Sequence, residues 1–263
     1  MFKRELRVNF KSFIIWTALL LILFSIVFLI YPAIIENSDI TNMNEMMSMF
    51  PDEVLKAFNM DISGIDTAFG WLKTEGFIFV LLITGIYSGI LGSSILVKEE
   101  NDKTIEYLNS LPIKRINIVI SKVLASVIYI VSMVLILSLF NYIGLSISGD
   151  FDRKVYLLLS ITPIFSSLVI FSICLFISSF FHKTKKTLGI SLGVVFMSYF
   201  LQILSELSSE VEFLKYISIF TLADIRNVII DVRINPVIVL VSLILVVSFV
   251  LLTVMNYNKK ELI

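Results

Sequence analysis

Charge is scarce in this sequence. Only 16% of its 263 residues are Asp, Glu, Lys or Arg, while 57% are hydrophobic and mean hydropathy is +0.95. A soluble domain carries about 25% charged residues. One soluble core cannot hide this much apolar surface, so lipid must be part of the solvent. The net charge is zero, which leaves no basic field to attract nucleic acid. The single cysteine, Cys174, excludes an intrachain disulfide and reads as a small packed side chain. The single histidine, His182, removes zinc-protease arrangements. There is no G-x-x-x-x-G-K-[ST], no H-E-x-x-H and no G-x-S-x-G. A Ser–His dyad would have to use His182, which stands in the basic run HKTKK at a span end, where a solvated flank accounts for it. No catalytic, cofactor or metal residue is therefore assigned, and an intramembrane enzyme is disfavoured.

What the sequence has instead is long apolar runs. Six of them, 12–35, 76–97, 123–149, 155–181, 187–205 and 234–258, carry no charge and meet or approach the roughly 20 residues that cross a bilayer core. The fold class expected is an all-α integral membrane protein forming one transmembrane domain over 1–263. Six spans put both termini on one side. The segments on that side hold 14 Lys and Arg, against 7 in the alternate loops. The positive-inside rule places that side, and both termini, in the cytoplasm, with the protein in the plasma membrane. The first run is too long for a signal-peptide core and no small-x-small site follows it, so it reads as a retained helix. Phe2, Leu6 and Phe10 recur every four residues among basic ones. This suits either a short interfacial helix on the inner surface or a simple basic anchor.

The first outer loop contains PDEVLKAF, in which Pro51, Asp52 and Glu53 suit the first turn of a short outer helix. The stretch 211–230 is too apolar for a solvated loop and too interrupted by Lys215, Asp224 and Arg226 for a span. It reads as one or two half-inserted helices. Phe213, Ile217, Phe220 and Leu222 are then candidates for an outer gate, with an amphipathic connector as the alternative.

No ionisable residue lies in the middle of any run, which argues against an ion-coupled carrier or a charged pore. Asn141, Thr162, Ser166, Ser167 and Gln202 read mostly as helix–helix hydrogen-bond partners. Gly85, Ser88, Gly89 and Gly92 form one small-residue face, and Gly189 with Gly193 another, both suited to close helix contact.

Between the second and third runs lies KEENDKTIEYLNSLPIKR, residues 98–115. Ile105, Leu108 and Leu111, with Tyr107 nearby, form an apolar face. Glu99, Glu100, Asp102 and Glu106 form an acidic one. Pro112 stops the helix. The pattern of Glu99, Glu100, Lys103, Thr104, Glu106, Leu108, Leu111, Pro112, Ile113 and Arg115, with Lys122 opening the third span, resembles the segment after the second span of ABC type-2 permeases. Many of those have Gly at the position of Lys103. The resemblance extends over the whole chain and its six-span topology. It implies a non-catalytic permease that pairs with a second copy of itself or a related permease, and with two separate ATPase subunits that bind the ATP and Mg²⁺. It also implies that the segment Glu99, Glu100, Thr104, Ile105, Glu106, Tyr107, Leu108, Leu111, Pro112 and Arg115 is an ATPase-coupling helix, with the N-terminal interfacial helix as a second contact.

Two function classes stay in view. One is an exporter permease moving hydrophobic or amphipathic cargo, peptides ahead of lipids or drugs. The other is a non-transporting immunity or assembly protein that binds a cytoplasmic partner.

Overall fold

The computed structural model describes residues 1–37, 67–110, 112–207 and 209–260, with backbone alone at 31–37, 107, 109 and 209. The expected outer helix at 51–58 and Leu111 lie outside the described residues. Those described form an all-helical bundle with six helices long and apolar enough to cross a membrane.

The first, α1, is Phe2–Asn37. A short helix α2, Ala68–Trp71, passes through a π-helical turn, Leu72–Gly76, into α3, Phe77–Ile95. Two short helices follow, α4 (Lys98–Asn101) and α5 (Ile105–Ser110). The long helices α6 (Arg115–Ser148), α7 (Arg153–Ser178) and α8 (Thr184–Leu207) come next. Two 3₁₀ turns, Ser209–Tyr216 and Ile219–Ala223, lead to α9 (Ile225–Asp231) and to α10 (Pro236–Lys259). Met1, Lys260 and the α4–α5 hairpin share one end of the bundle, here the hairpin end.

Local chemistry sets several boundaries. Asp152 caps α7 by accepting from the amides of Lys154 and Val155. Asn235 caps α10 ahead of Pro236 at its first position. Gly149, at φ 145°, lets the chain leave α6 in a conformation that side chains resist. The mid-helix Pro163 withholds the amide that would bond to Leu159, and the neighbouring Thr162 hydroxyl donates to that carbonyl instead, at 2.9 Å.

The expected interfacial helix at the N-terminus is not a separate element. Residues 2–37 form one unbroken helix of 36 residues, about 54 Å long, because nothing in KRELRVNFKSF caps or breaks it. Leu6 packs on the core, Phe2 is half-buried and Phe10 is exposed.

Helix α7 is central, packing on α3, α6, α8 and α10. The small face of α3 makes this possible. A β-carbon on Gly92 would lie 2.5 Å from the Phe171 carbonyl oxygen, and one on Gly89 would lie 3.0 Å from Val195. Cys174 is buried at the same crossing. The second small face behaves differently: nothing approaches Gly189 or Gly193 within 4 Å. Thr162 and Ser166 bond to carbonyls of their own helix rather than across helices. Gln202 does bridge elements, accepting from Thr221 at 2.7 Å.

Gly92→Leu is expected to lower stability by about 1–3 kcal/mol, because the backbone of Phe171 has nowhere to go. Gly193→Ala is expected to be neutral. Thermal unfolding of both variants in detergent checks the contrast.

Candidate functional site at the hairpin end

The segment 98–115 is not one continuous helix. Helix α4 ends in a left-handed residue, Lys103, at φ 56°. The amide of Thr104 donates to Glu99 O at 2.8 Å and that of Lys103 to Glu100 O at 3.2 Å. These are the paired closing bonds of a Schellman motif, and they turn the chain before α5 begins. A lysine here pays the steric cost that glycine avoids, and the turn forms nonetheless.

The turn frees α4 to present three consecutive charges to three different helices. Lys98 donates to Glu5 of α1 at 2.6 Å. Glu99 accepts from Lys122 of α6 at 2.7 and 2.8 Å. Glu100 accepts from Lys260, just past α10, at 2.6 Å, and lies 2.5 Å from His182 Nδ1 in the α7–α8 turn. Successive helix positions are about 100° apart, so one turn of α4 reaches around it.

Lys122 is the centre of this network. Its side chain is fully buried, it donates to Ile95 O at 2.6 Å, and it also lies 3.4 Å from Glu5 Oε1. Glu5 is fully buried too, and Arg4 stands 4.0 Å from Glu99 at the edge. The Tyr129 hydroxyl of α6 donates to the Leu6 carbonyl, a second tie between α1 and α6. Arg115, opening α6, donates to the carbonyls of Tyr257, Asn258 and Lys260 at 2.8–3.2 Å, capping the end of α10.

A small apolar cluster completes the hairpin. Ile105, Leu108 and Ile118 are buried together, with Met1 and Ile113 packed against them. Glu99, Glu100, Ile105 and Leu108, expected on a contact face, are therefore buried within the chain. They position the hairpin, because once buried each charge is held to its partner and any shift would leave it unpaired. What the described residues of the hairpin expose is Asn101, Asp102, Lys103, Thr104, Glu106, Ser110 and Pro112. The Tyr107 side chain and Leu111 lie outside the described residues.

Sequence reasoning missed Glu5, Lys98, Lys260 and His182 as members of the network. The one legible signal was Glu5, the lone acid in an otherwise basic N-terminal segment.

At the opposite end, the expected gate residues do not converge. Phe220 is buried beside Gly85 of α3 and edge-on to Tyr199 of α8. Leu222 is half-buried, while Phe213 and Ile217 are exposed. The segment is docked by polar bonds: Ser218 donates to Ser198 O at 2.8 Å, and the Ile219 amide donates to Ser198 Oγ at 2.7 Å. Burial pushes the Asp224 carboxyl above the ordinary carboxylate range, with Asn227 pulling it back by a hydrogen bond.

The family model described as ABC-2 family transporter protein matches residues 1–262. No curated protein and no solved structure gives a significant match. The chain belongs to the ABC-2 transporter family, as a multi-pass transmembrane permease of an ABC transporter.

Two variants test the network. Lys122→Met leaves Glu5 and Glu99 buried without their shared cation, and an expected loss of about 3–5 kcal/mol should appear as a lowered unfolding midpoint or failed expression. Lys103→Gly relieves the left-handed lysine, and a gain of up to about 1 kcal/mol is expected in the same unfolding assay.

Proposed function

We propose that this permease is driven by a separate ATPase subunit, which seats on the exposed face of the α4–α5 hairpin. The observation that carries the reading is the run Lys98, Glu99 and Glu100, which fastens one exposed turn to α1, α6 and the end of α10. A partner that displaces such a turn moves several spans together, whereas a loosely tethered loop would absorb the push. The count of Lys and Arg, 14 on the hairpin side against 7 on the other, supports a cytoplasmic hairpin and cytoplasmic termini.

In this reading the contact residues are Thr104 and Glu106, with Asp102, Lys103 and Pro112 around them. Glu99, Glu100, Ile105, Leu108 and Arg115 transmit the displacement from behind. The ATP and Mg²⁺ are held by the partner, and two permease copies assemble with two ATPases. ATP-driven closure biases a two-state arrangement of the spans, and the bias comes from contacts that differ between the states. The expected cargo is hydrophobic or amphipathic and leaves outward, since the runs carry no ionisable residue in their middles. Amphipathic peptides stand first, through the family resemblance.

Glu106 is exposed, so its charge can be reversed without disturbing the core. Glu106→Lys is expected to keep normal expression and folding but to lose binding of the co-expressed ATPase, or its turnover, by about fivefold or more. Co-purification and ATP hydrolysis in proteoliposomes check this, and unchanged assembly together with unchanged turnover would remove the hairpin from the coupling role. Leu108→Asp is a poor probe of the same contact, because Leu108 is buried and the change would unfold the hairpin.

A further inference from the structure

The last span is attached to the bundle in an uneven way. Along most of its length α10 is exposed, with Val237, Leu240, Leu243, Ile244, Val247 and Leu251 all open. Only Ser242, Thr253 and Tyr257 are buried in it. Its hydrogen bonds to other elements cluster at residues 256–260. Asn256 Nδ2 donates to Ser179 Oγ at the end of α7, at 2.7 Å. Tyr257, Asn258 and Lys260 offer their carbonyls to Arg115. Lys260 Nζ donates to Glu100 at 2.6 Å and to Phe181 O at 2.5 Å. The Lys260 and Glu100 side chains are 7% and 1% exposed, so water does little to weaken the pair.

The other end of α10 follows a short strap with two strained joints. The seven residues of α9, Ile225–Asp231, lie between two left-handed residues, Asp224 at φ 48° and Val232 at φ 51°. A β-branched residue such as Val232 is rare in that conformation. Beyond Asp224, the chain is docked on α8 and α3 through Ser218 and Phe220.

We propose that α10 is a lever. Lys260 acts as a positioning residue that locks its last turn to the α4–α5 hairpin through Glu100, while Arg115 holds the same turn to the start of α6, so that movement of the hairpin is carried along α10 to the α9 strap at the opposite end. The lock is a property of this chain alone; what drives it rests on the proposed ATPase coupling. Glu100 is the branch point, since the same carboxylate also receives His182 of the α7–α8 turn. The hairpin thus reaches the strap along α10, which packs against the central helix α7 on the way.

The test uses the full-length permease, co-expressed with its ATPase and reconstituted in lipid. Lys260→Gln removes the charge, Lys260→Arg keeps it, and the pair Glu100→Lys with Lys260→Glu exchanges it. Hydrogen exchange over residues 254–260 reads the lock, ATP hydrolysis reads the coupling, and the thermal midpoint reports folding. Lys260→Gln is expected to speed exchange in the last turn and lower ATP turnover about fivefold or more, with a lowered midpoint because the buried Glu100 loses its lysine. Lys260→Arg is expected to restore both, and the exchanged pair, which loses the bond to Phe181 O, to restore them in part. Unchanged exchange in Lys260→Gln, or no rescue by Lys260→Arg, overturns the lock. Faster exchange with undiminished turnover overturns the lever. Absence of any associated ATPase from the wild-type preparation would defeat the proposed coupling and, with it, the lever's drive, while the exchange data would still decide the lock.

Discussion

The hairpin end of this protein is organised around one buried cation. Lys122 sits between Glu99 and Glu5 with no access to water, and three helices end on it. Removing an ammonium from water costs several kcal/mol, and only close, multiple partners offset that cost. Here the partners are two carboxylates and the Ile95 carbonyl. The result favours one arrangement of α1, α4 and α6 over alternatives, because any slippage leaves a charge buried and unpaired. The apolar cluster of Ile105, Leu108 and Ile118 could tolerate a small shift; this ion group tolerates much less.

From that constraint the rest of the hairpin follows. Glu99 and Lys98 are spent on internal pairs, so their neighbour Glu100 is turned toward the end of α10 and the α7–α8 turn. The Schellman turn at Lys103 then brings α5 back over the cluster and leaves Thr104 and Glu106 facing outward. The membrane half is held by different physics. Helices α3 and α7 approach through Gly92 and Gly89, and backbone groups freed by Pro163 are met by a neighbouring hydroxyl. Lipid supplies no hydrophobic drive between helices, so close packing and local hydrogen bonding carry this region. A permease of the ABC-2 family built this way has a firm hairpin end and a last span whose hydrogen bonds to other elements gather at that end.

Much of this was legible in the residues. Six apolar runs, the motif from Glu99 to Arg115, and the small face of α3 all read directly, because length, charge and side-chain size act locally. The broken stretch 211–230 read as short helices, and it forms two 3₁₀ turns and a short α-helix. The N-terminal stretch, read as an interfacial helix or a basic anchor, continues unbroken into α1, because a basic amphipathic stretch and the overhang of a long helix share one pattern. The gate residues were grouped by apolarity alone, and only packing separates the buried Phe220 from the exposed Phe213 and Ile217.

The sequence by itself determined the solvent, the number of spans and the position of the polar hairpin, since transfer free energy is fixed by composition along a run. It could not determine which charges face water. Lys98, Glu99 and Glu100 look alike as letters in a polar loop. Their partners Glu5, Lys122 and Lys260 lie 93, 23 and 160 residues away, and only the tertiary structure brings them together. A buried ion pair is a statement about two places in the chain at once, and the fold alone decides that two such places meet.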